Sequence, residues 1–276
     1  MRHEIAKAAC SLRDNDGSSK ATRTESLVTK EGGWCLSSRN TTKVSLQHGQ
    51  TYNLPLHHVK ADHGMVEALL KLDSREGGRA SFNDFGAGVG QYGHALLSRR
   101  PEIRWRGYDG AGNIEQFTSG FIDWFDLSLP LSLPRSDWVI SLEVGEHVPH
   151  SLEEMVVRNL HAHNCRGIIL SWAALGQGGY FHINVCASLD RLARAHPLLI
   201  VLTPTEIPMR PSTRLQNHGQ EYLTSVFVAL GYWRNEELTT SMRQDAHRPW
   251  FRSNLMVFER RSPLSCSKHD VEGQAR

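Results

Sequence analysis

The run Asp84-Phe85-Gly86-Ala87-Gly88-Val89-Gly90-Gln91-Tyr92 constrains this chain more than any other stretch. It follows a short strand pattern, Ala80–Phe85. It precedes Gln91–Arg100, where Tyr92, Ala95 and Leu96 fall on one helical face. Three alternating glycines between a strand and a helix permit positive φ and let a ligand approach the backbone closely. They also deliver that ligand to the positive end of the following helix. The plainer reading, a turn that merely joins two elements, leaves the alternation unexplained.

The same alternation of strand and helix continues along the chain. His63–Leu72 carries Met65, Val66, Leu69, Leu70 and Leu72 at helical spacing, and Ile103–Asp109 reads as a second strand, with Phe121–Trp124 a short third. Asp137–Leu142 and Gly167–Trp172 are buried strands, and Asn254–Glu259 closes the series. Ser151–Glu154 reads as a capping box opening a helix with Leu152, Met155, Val156 and Leu160 along one stripe. Gly219–Leu230 is a helix stopped by Gly231. Strands alternating with helices predict an α/β fold, a mostly parallel sheet covered on both faces. The folded body spans residues 32–261. Residues 1–31, with no aromatic side chain and many polar ones, and residues 262–276 are predicted to be disordered. Within the body, residues 185–215 hold Pro197, Pro204, Pro208 and Pro211 without periodicity, an irregular insertion that reads as a lid, a poorly ordered loop or a gene-model error.

Charge and composition exclude several classes. The formal net charge is +2 and the lysines and arginines are scattered, so no basic stripe marks a nucleic-acid partner. No segment approaches the roughly 20 apolar residues that span a bilayer, and the N-terminus leads into no apolar signal region. The five cysteines (Cys10, Cys35, Cys165, Cys186, Cys266) are odd in number, widely spaced and form no CxxC pair. They suggest neither a disulfide framework nor a metal site, and a reducing cytoplasmic setting is the default expectation. Nothing in the sequence sets the oligomeric state.

Candidate site residues gather after the predicted strands. Asp109 follows the glycine loop by about 20 residues, where a carboxylate can accept both hydroxyls of a ribose; the alternative is a helix-capping Asp. Glu143, Glu146 and His147 leave Asp137–Leu142 at its carboxyl end, where an open parallel sheet has its ligand crevice. Gly88-x-Gly90-x-x-Gly93 also fits the literal dinucleotide fingerprint.

Asp84-x-Gly86-x-Gly88-x-Gly90 in this register resembles the first motif of class I S-adenosylmethionine-dependent methyltransferases. Ser141-Leu-Glu-Val-Gly-Glu-His-Val148 is similar to a small, mostly uncharacterised subset of that class. That subset also shows Ser-Trp-Ala, Gly-Gln-Gly-Gly and His-x-Asn, here Ser171-Trp172-Ala173, Gly176–Gly179 and His182-Ile183-Asn184. Gly33–Leu36, His58–Asp62, Trp250 and Phe258–Arg260 extend the likeness over roughly residues 32–261. The resemblance implies a Rossmann-like methyltransferase fold with a seven-stranded sheet, S-adenosyl-L-methionine as cofactor and methyl transfer to an acceptor, by default a small molecule. It implies that Asp84, Gly86, Gly88 and Gly90 wrap the aminoacyl part of the cofactor. Asp109 would take the ribose, and Asp126 and the Leu127 backbone would meet adenine with Phe125 near the base; Glu143 and Glu146 could bind a cationic acceptor group, orient His147 or equally contact the cofactor's ammonium. Acceptor contacts would come from Trp172, Gln177, His182 and Asn184. His147 is the best general base, with His182 second, Glu146 beside it and Arg243 a weaker candidate. Two departures stand out: Asn83 occupies a strand position where an aliphatic residue is expected, and residues 185–215 interrupt the pattern. The competing readings are an NAD(P)-dependent oxidoreductase, which would share the loop and Asp109, and a non-catalytic binding module of the same fold.

Overall fold

The computed structural model describes Cys10 and residues 35–37, 41–55, 58–173 and 219–266. Its centre is a seven-stranded sheet with spatial order β5-β4-β3-β6-β7-β9-β8. The strands are β3 (Ser81–Phe85), β4 (Arg104–Asp109), β5 (Ile122–Trp124), β6 (Ser136–Leu142), β7 (Asn164–Ser171), β8 (Tyr232–Arg234) and β9 (Met256–Arg260). The neighbouring strands from β5 through β7 pair in parallel, whereas β9 runs antiparallel to both β7 and β8. This is the Rossmann-like methyltransferase fold that the resemblance implies. Two further strands, β1 (Thr41–Ser45) and β2 (Thr51–Pro55), form a separate antiparallel hairpin that the sequence reading did not predict.

Side-chain alternation along the strands divides the core in two, as a pleated strand buried on both faces requires. Trp138 and Ile140 of β6, Ile169 of β7 and Val257 of β9 point to one layer. They meet α1 (His63–Arg75), α2 (Gln91–Arg99), α6 (Glu236–Asp245) and α7 (Pro249–Asn254) through Met65, Leu69, Leu96, Met242 and Phe251. Val139, Ile168, Leu170, Met256 and Phe258 point the other way, against α4 (Glu153–Ala162) and α5 (Gln220–Ala229) through Val156, Leu160, Leu223 and Phe227. Each such fully buried side chain contributes about 1.5–3 kcal/mol of transfer free energy. The remaining helix, α3 (Ile114–Phe117), is one turn long and buries Ile114.

Several expectations change. Asn83 is held through its donors: its side-chain amide donates to the Pro134 carbonyl at 2.8 Å and its own N–H to the Ser136 hydroxyl at 3.0 Å, while its Oδ1 is buried without a partner among the described residues. An aliphatic residue there would leave the turn before β6 unheld. The capping box does not form. A single 3₁₀ turn, His150–Leu152, follows Pro149, and α4 starts at Glu153 with no side-chain cap. Glu154 pairs with Arg158 one turn on, and Glu153 instead accepts the Tyr222 hydroxyl at 2.7 Å. Two disulfides, Cys10–Cys35 and Cys165–Cys266, form where cysteine spacing suggested none. The second joins β7 to residues 262–266, where the Leu264 N–H also donates to the Cys165 carbonyl at 2.9 Å. The irregular insertion, residues 185–215, lies outside the described residues. No helix among the described residues is long and apolar enough to cross a membrane.

Candidate active site

The chain leaves β3 toward β4 and β5 on one side and returns through β6 toward β7 on the other. The crevice of such a sheet opens at the carboxyl ends of β3 and β6, where this direction switches. The glycine loop lies there. Gly86, Gly88 and Gly90 have φ of 78°, 58° and 81°, the left-handed region that an L side chain enters only at a cost. Space excludes a side chain as well: a Cβ on Gly86 would lie 2.4 Å from a Val144 methyl, and one on Gly90 2.5 Å from the Phe121 ring. Gly93 serves a different need, since a Cβ there would enter the Trp105 indole where α2 packs on β4.

The loop is fixed from the next strand. The N–H groups of Gly86 and Ala87 both donate to the Tyr108 carbonyl, at 2.8 and 3.0 Å. Asp109 then grips the loop itself, with one carboxyl oxygen accepting the Gly88 N–H and the other the Ala111 N–H, both at 2.9 Å. Burial raises its pKa to about 6 against the pull of these amides. Asp84 is more isolated: burial, then the like charge of Asp109, push it up to about 8, and its Oδ2 has no hydrogen-bond partner among the described residues. The Trp105 indole pulls the other way but does not offset the burial, so the carboxyl stays protonated.

The β6 exit supplies the second wall. Glu143 takes φ of 55°, a conformation rare for a non-glycine residue and concentrated at functional sites. Its N–H is held by the Ser171 carbonyl (3.1 Å) and hydroxyl (3.0 Å), which ties the exits of β6 and β7 together. The next turn, Gly145–His147, presents Glu146 inward, 3% exposed, and His147 outward to solvent. Glu146 is pushed up to about 8 by burial and by neighbouring Glu143. Val144 packs on Gly86, so the two walls touch.

The structure therefore brings together Asp84, Gly86, Gly88, Gly90, Asp109, Glu143 and Glu146, with His147 at the rim. Other predicted residues are placed differently. The Asp126 carboxyl accepts the N–H (2.9 Å) and hydroxyl (2.5 Å) of Ser128, closing its own turn, and Leu127 is half-buried against the second core layer. Phe125 lies in that core, stacked on Phe85 at 5.2 Å. Trp172 is 5% exposed and lays its indole against Gly145, so it builds the wall rather than lining an open face. Arg243 bridges the Leu255 carbonyl and the Gln220 side chain, both at 2.8 Å, joining helices rather than serving the crevice. Gln177, His182 and Asn184 lie outside the described residues.

Sequence reasoning named Gly33–Leu36 and His58–Asp62 only as part of the likeness and gave them no role, and it missed Asn113. The Asn113 side chain clasps Leu36 in both directions at 2.8 Å, setting residues 35–37 beside Ala111, just beyond Asp109. Asp62 caps α1 and accepts the His247 and Arg248 N–H groups, while the Tyr92 hydroxyl accepts its own N–H. Gln91 reaches from α2 to the Val59 carbonyl at 3.2 Å. The Asp62-x-x-Met65 spacing signals its cap locally.

No protein-family model matches the sequence, and no curated protein matches it. Among solved structures, the chain is similar to magnesium protoporphyrin IX methyltransferase from Synechocystis PCC 6803 with bound S-adenosylhomocysteine. That similarity is 17% identity over 71% of this chain and 81% of the other, with a TM-score of 0.44. It is similar to 1,6-didemethyltoxoflavin-N1-methyltransferase from Burkholderia thailandensis, at 13% identity over 72% and 79% of the two chains and a TM-score of 0.40. An amino pentose methyltransferase from Micromonospora echinaspora is similar over 41% of this chain and 52% of its own, at 17% identity and a TM-score of 0.34.

Proposed function

We propose that this chain binds S-adenosylmethionine between the exits of β3, β4 and β6 and transfers its methyl group to a small-molecule acceptor. The observation that carries this reading is the 2.9 Å hydrogen bond from the Gly88 N–H to Asp109, which couples a left-handed glycine loop to an acid at the next strand's end. A carboxylate bound through one amide per oxygen keeps lone pairs for two ribose hydroxyls. The sheet favours this over an NAD(P)-dependent oxidoreductase. A dinucleotide-binding sheet continues in parallel in the order 3-2-1-4-5-6. Here antiparallel β9 separates β7 from β8.

The residues present fit the cofactor. Gly86, Gly88 and Gly90 leave backbone bare where its aminoacyl part would lie, the orphaned Asp84 Oδ2 and Glu143 would receive its ammonium, and Asp126 with the Leu127 backbone would meet its adenine. When bound, it supplies an electrophilic methyl on a sulfonium sulfur. The chain's own work is positioning and exclusion of water, for which Val144 on Gly86 and Trp172 on Gly145 close the walls. Orientation of this kind supplies roughly 7–11 kcal/mol in favourable cases. His147, at the rim, would take a proton from an oxygen or nitrogen acceptor at its imidazole nitrogen. Trp172 would support, and Gln177, His182 and Asn184 would contact, that acceptor. Calorimetric titration of the full chain tests the reading: S-adenosylhomocysteine binds and NADPH does not. Binding of NADPH alone overturns it, and cofactor binding without turnover on any member of a metabolite panel leaves a binding module.

A further inference from the structure

Glu146 is an acid that the fold buries and leaves unanswered. It is 3% exposed, and neither carboxyl oxygen has a hydrogen-bond partner among the described residues. The backbone groups beside the carboxyl are its own N–H and that of Ala173, just past β7, so it sits in the gap between the β6 and β7 exits. That gap is the far side of the crevice from Asp109, which belongs to β4. Among the described residues, groups that act on Glu146 add no positive charge: Glu143 from the strand exit repels it, Ala173 offers only an amide, and His147, the next residue, is exposed. Burying a carboxylate without a partner is costly enough that the group takes up either a proton or a counter-ion.

We infer that Glu143 and Glu146 together form a receptor for a protonated amine. The inference rests on the methyl-transfer reading for its biological sense, and two sources of that amine exist: the methyl acceptor and the aminoacyl end of the cofactor. Without the amine, Glu146 keeps its proton, since its pKa is pushed up to about 8. When R–NH₃⁺ enters, the Glu146 carboxylic acid gives that proton to solvent and pairs as carboxylate, so one positive charge enters and one leaves. Cation binding requires the deprotonated form. Apparent affinity therefore rises about tenfold per pH unit below the pKa and levels off above it.

The test is calorimetry on the full-length chain at pH 6.5, in phosphate and in Tris, whose ionisation heats report proton release. S-Adenosylhomocysteine is titrated first. Phenethylamine and tryptamine follow, with neutral 2-phenylethanol and tryptophol as counterparts, each with and without S-adenosylhomocysteine. The expected result is release of close to one proton with the amines and none with the alcohols, and about tenfold tighter amine binding at pH 7.5. Release upon S-adenosylhomocysteine alone assigns the receptor to the cofactor's ammonium; release upon the added amine assigns it to the acceptor. Glu146→Gln abolishes release and flattens the pH dependence, while Glu146→Asp restores part of both. Should Glu146→Gln fail to fold, the pH dependence of the parent decides. Cations that bind without proton release, or not at all, overturn the inference even where S-adenosylhomocysteine binds. Amines that bind with release while S-adenosylhomocysteine does not bind sustain it and overturn the methyl-transfer reading.

Discussion

Replacing Gly86 by alanine separates two costs that the structure places at one atom. The first is conformational: at φ of 78° an L side chain costs about 1–2 kcal/mol. The second is steric: the new methyl would lie 2.4 and 2.8 Å from the two Val144 methyls, an overlap that costs about 1–3 kcal/mol to relieve in a packed site. The sum, about 2–5 kcal/mol, lowers the melting temperature by roughly 5–15 °C for a domain of this size. Val144→Ala removes both clashing methyls and leaves only the Val144 Cβ, 3.2 Å away, which a shift of a few tenths of an ångström accommodates. The double variant is therefore expected to be about 1–3 kcal/mol more stable than the two single effects added together, a coupling that a double-mutant cycle isolates. Chemical denaturation of the four proteins measures it. A Gly86→Ala protein within 0.5 kcal/mol of the parent refutes the dihedral argument, by the usual spread of neutral surface changes. Strict additivity refutes the contact between the β3 and β6 walls.

Three further outcomes follow from the same structure. Asn83→Leu, the substitution that sequence pattern would favour, destabilises by about 1–3 kcal/mol because the Pro134 carbonyl loses its donor; a neutral or stabilising effect in urea denaturation contradicts that. Cys266→Ser opens a loop of sequence separation 101, worth about 4–5 kcal/mol in the chain-entropy model, so its thermal melt should fall below the parent's without reductant and coincide with it in dithiothreitol, which opens both disulfides. Asp84 has a folded-state pKa of about 8, well above its ordinary value, so the folded state binds a proton that the unfolded state releases. Its contribution to stability is thus lost as pH rises from about 4 to 8, and Asp84→Asn should flatten the stability profile across that window while gaining nothing below it.

What the sequence made legible follows from which signals are local. β6 and β7 lie within a few residues of their expected bounds because strands buried on both faces tend to be apolar throughout, and the runs around Ile140 and Ile169 are. The glycine loop was legible because positive φ selects glycine at the residue itself. The β1–β2 hairpin was not: Thr41–Ser45 offers a single buried apolar side chain, Val44, and owes its place to Tyr52 stacking on His94 at 4.6 Å, a contact made across 42 residues. Disulfides depend on Cα atoms coming within 5.6 and 5.7 Å, which spacing along the chain cannot report. Phe125 and Trp172 were assigned to ligands because they follow strands at the right end of the sheet. Aromatic side chains at that position serve a crevice equally well by walling it, and burial alone tells the two apart.

The charges of the crevice argue for what should fill it. Asp84, Asp109 and Glu146 all have pKa values raised by burial, and Glu143 adds to the same field. A structural cluster of acids would bring arginines or lysines to itself, as Asp73 does with Arg100 and Glu76 with Arg166 elsewhere in this chain. Among the described residues, Asp109 is instead held by two backbone amides. Amides orient a carboxylate without neutralising it, so Asp109 keeps its attraction for positive charge, and the protonated Asp84 and Glu146 become attractive once they give up their protons. A sulfonium nucleoside with its α-ammonium brings two such charges, and a dinucleotide, with its pyrophosphate, brings the opposite sign to the same acids. Electrostatics and strand order thus both favour the proposed ligand over a dinucleotide, one through the side chains at the strand ends and the other through the direction of β9.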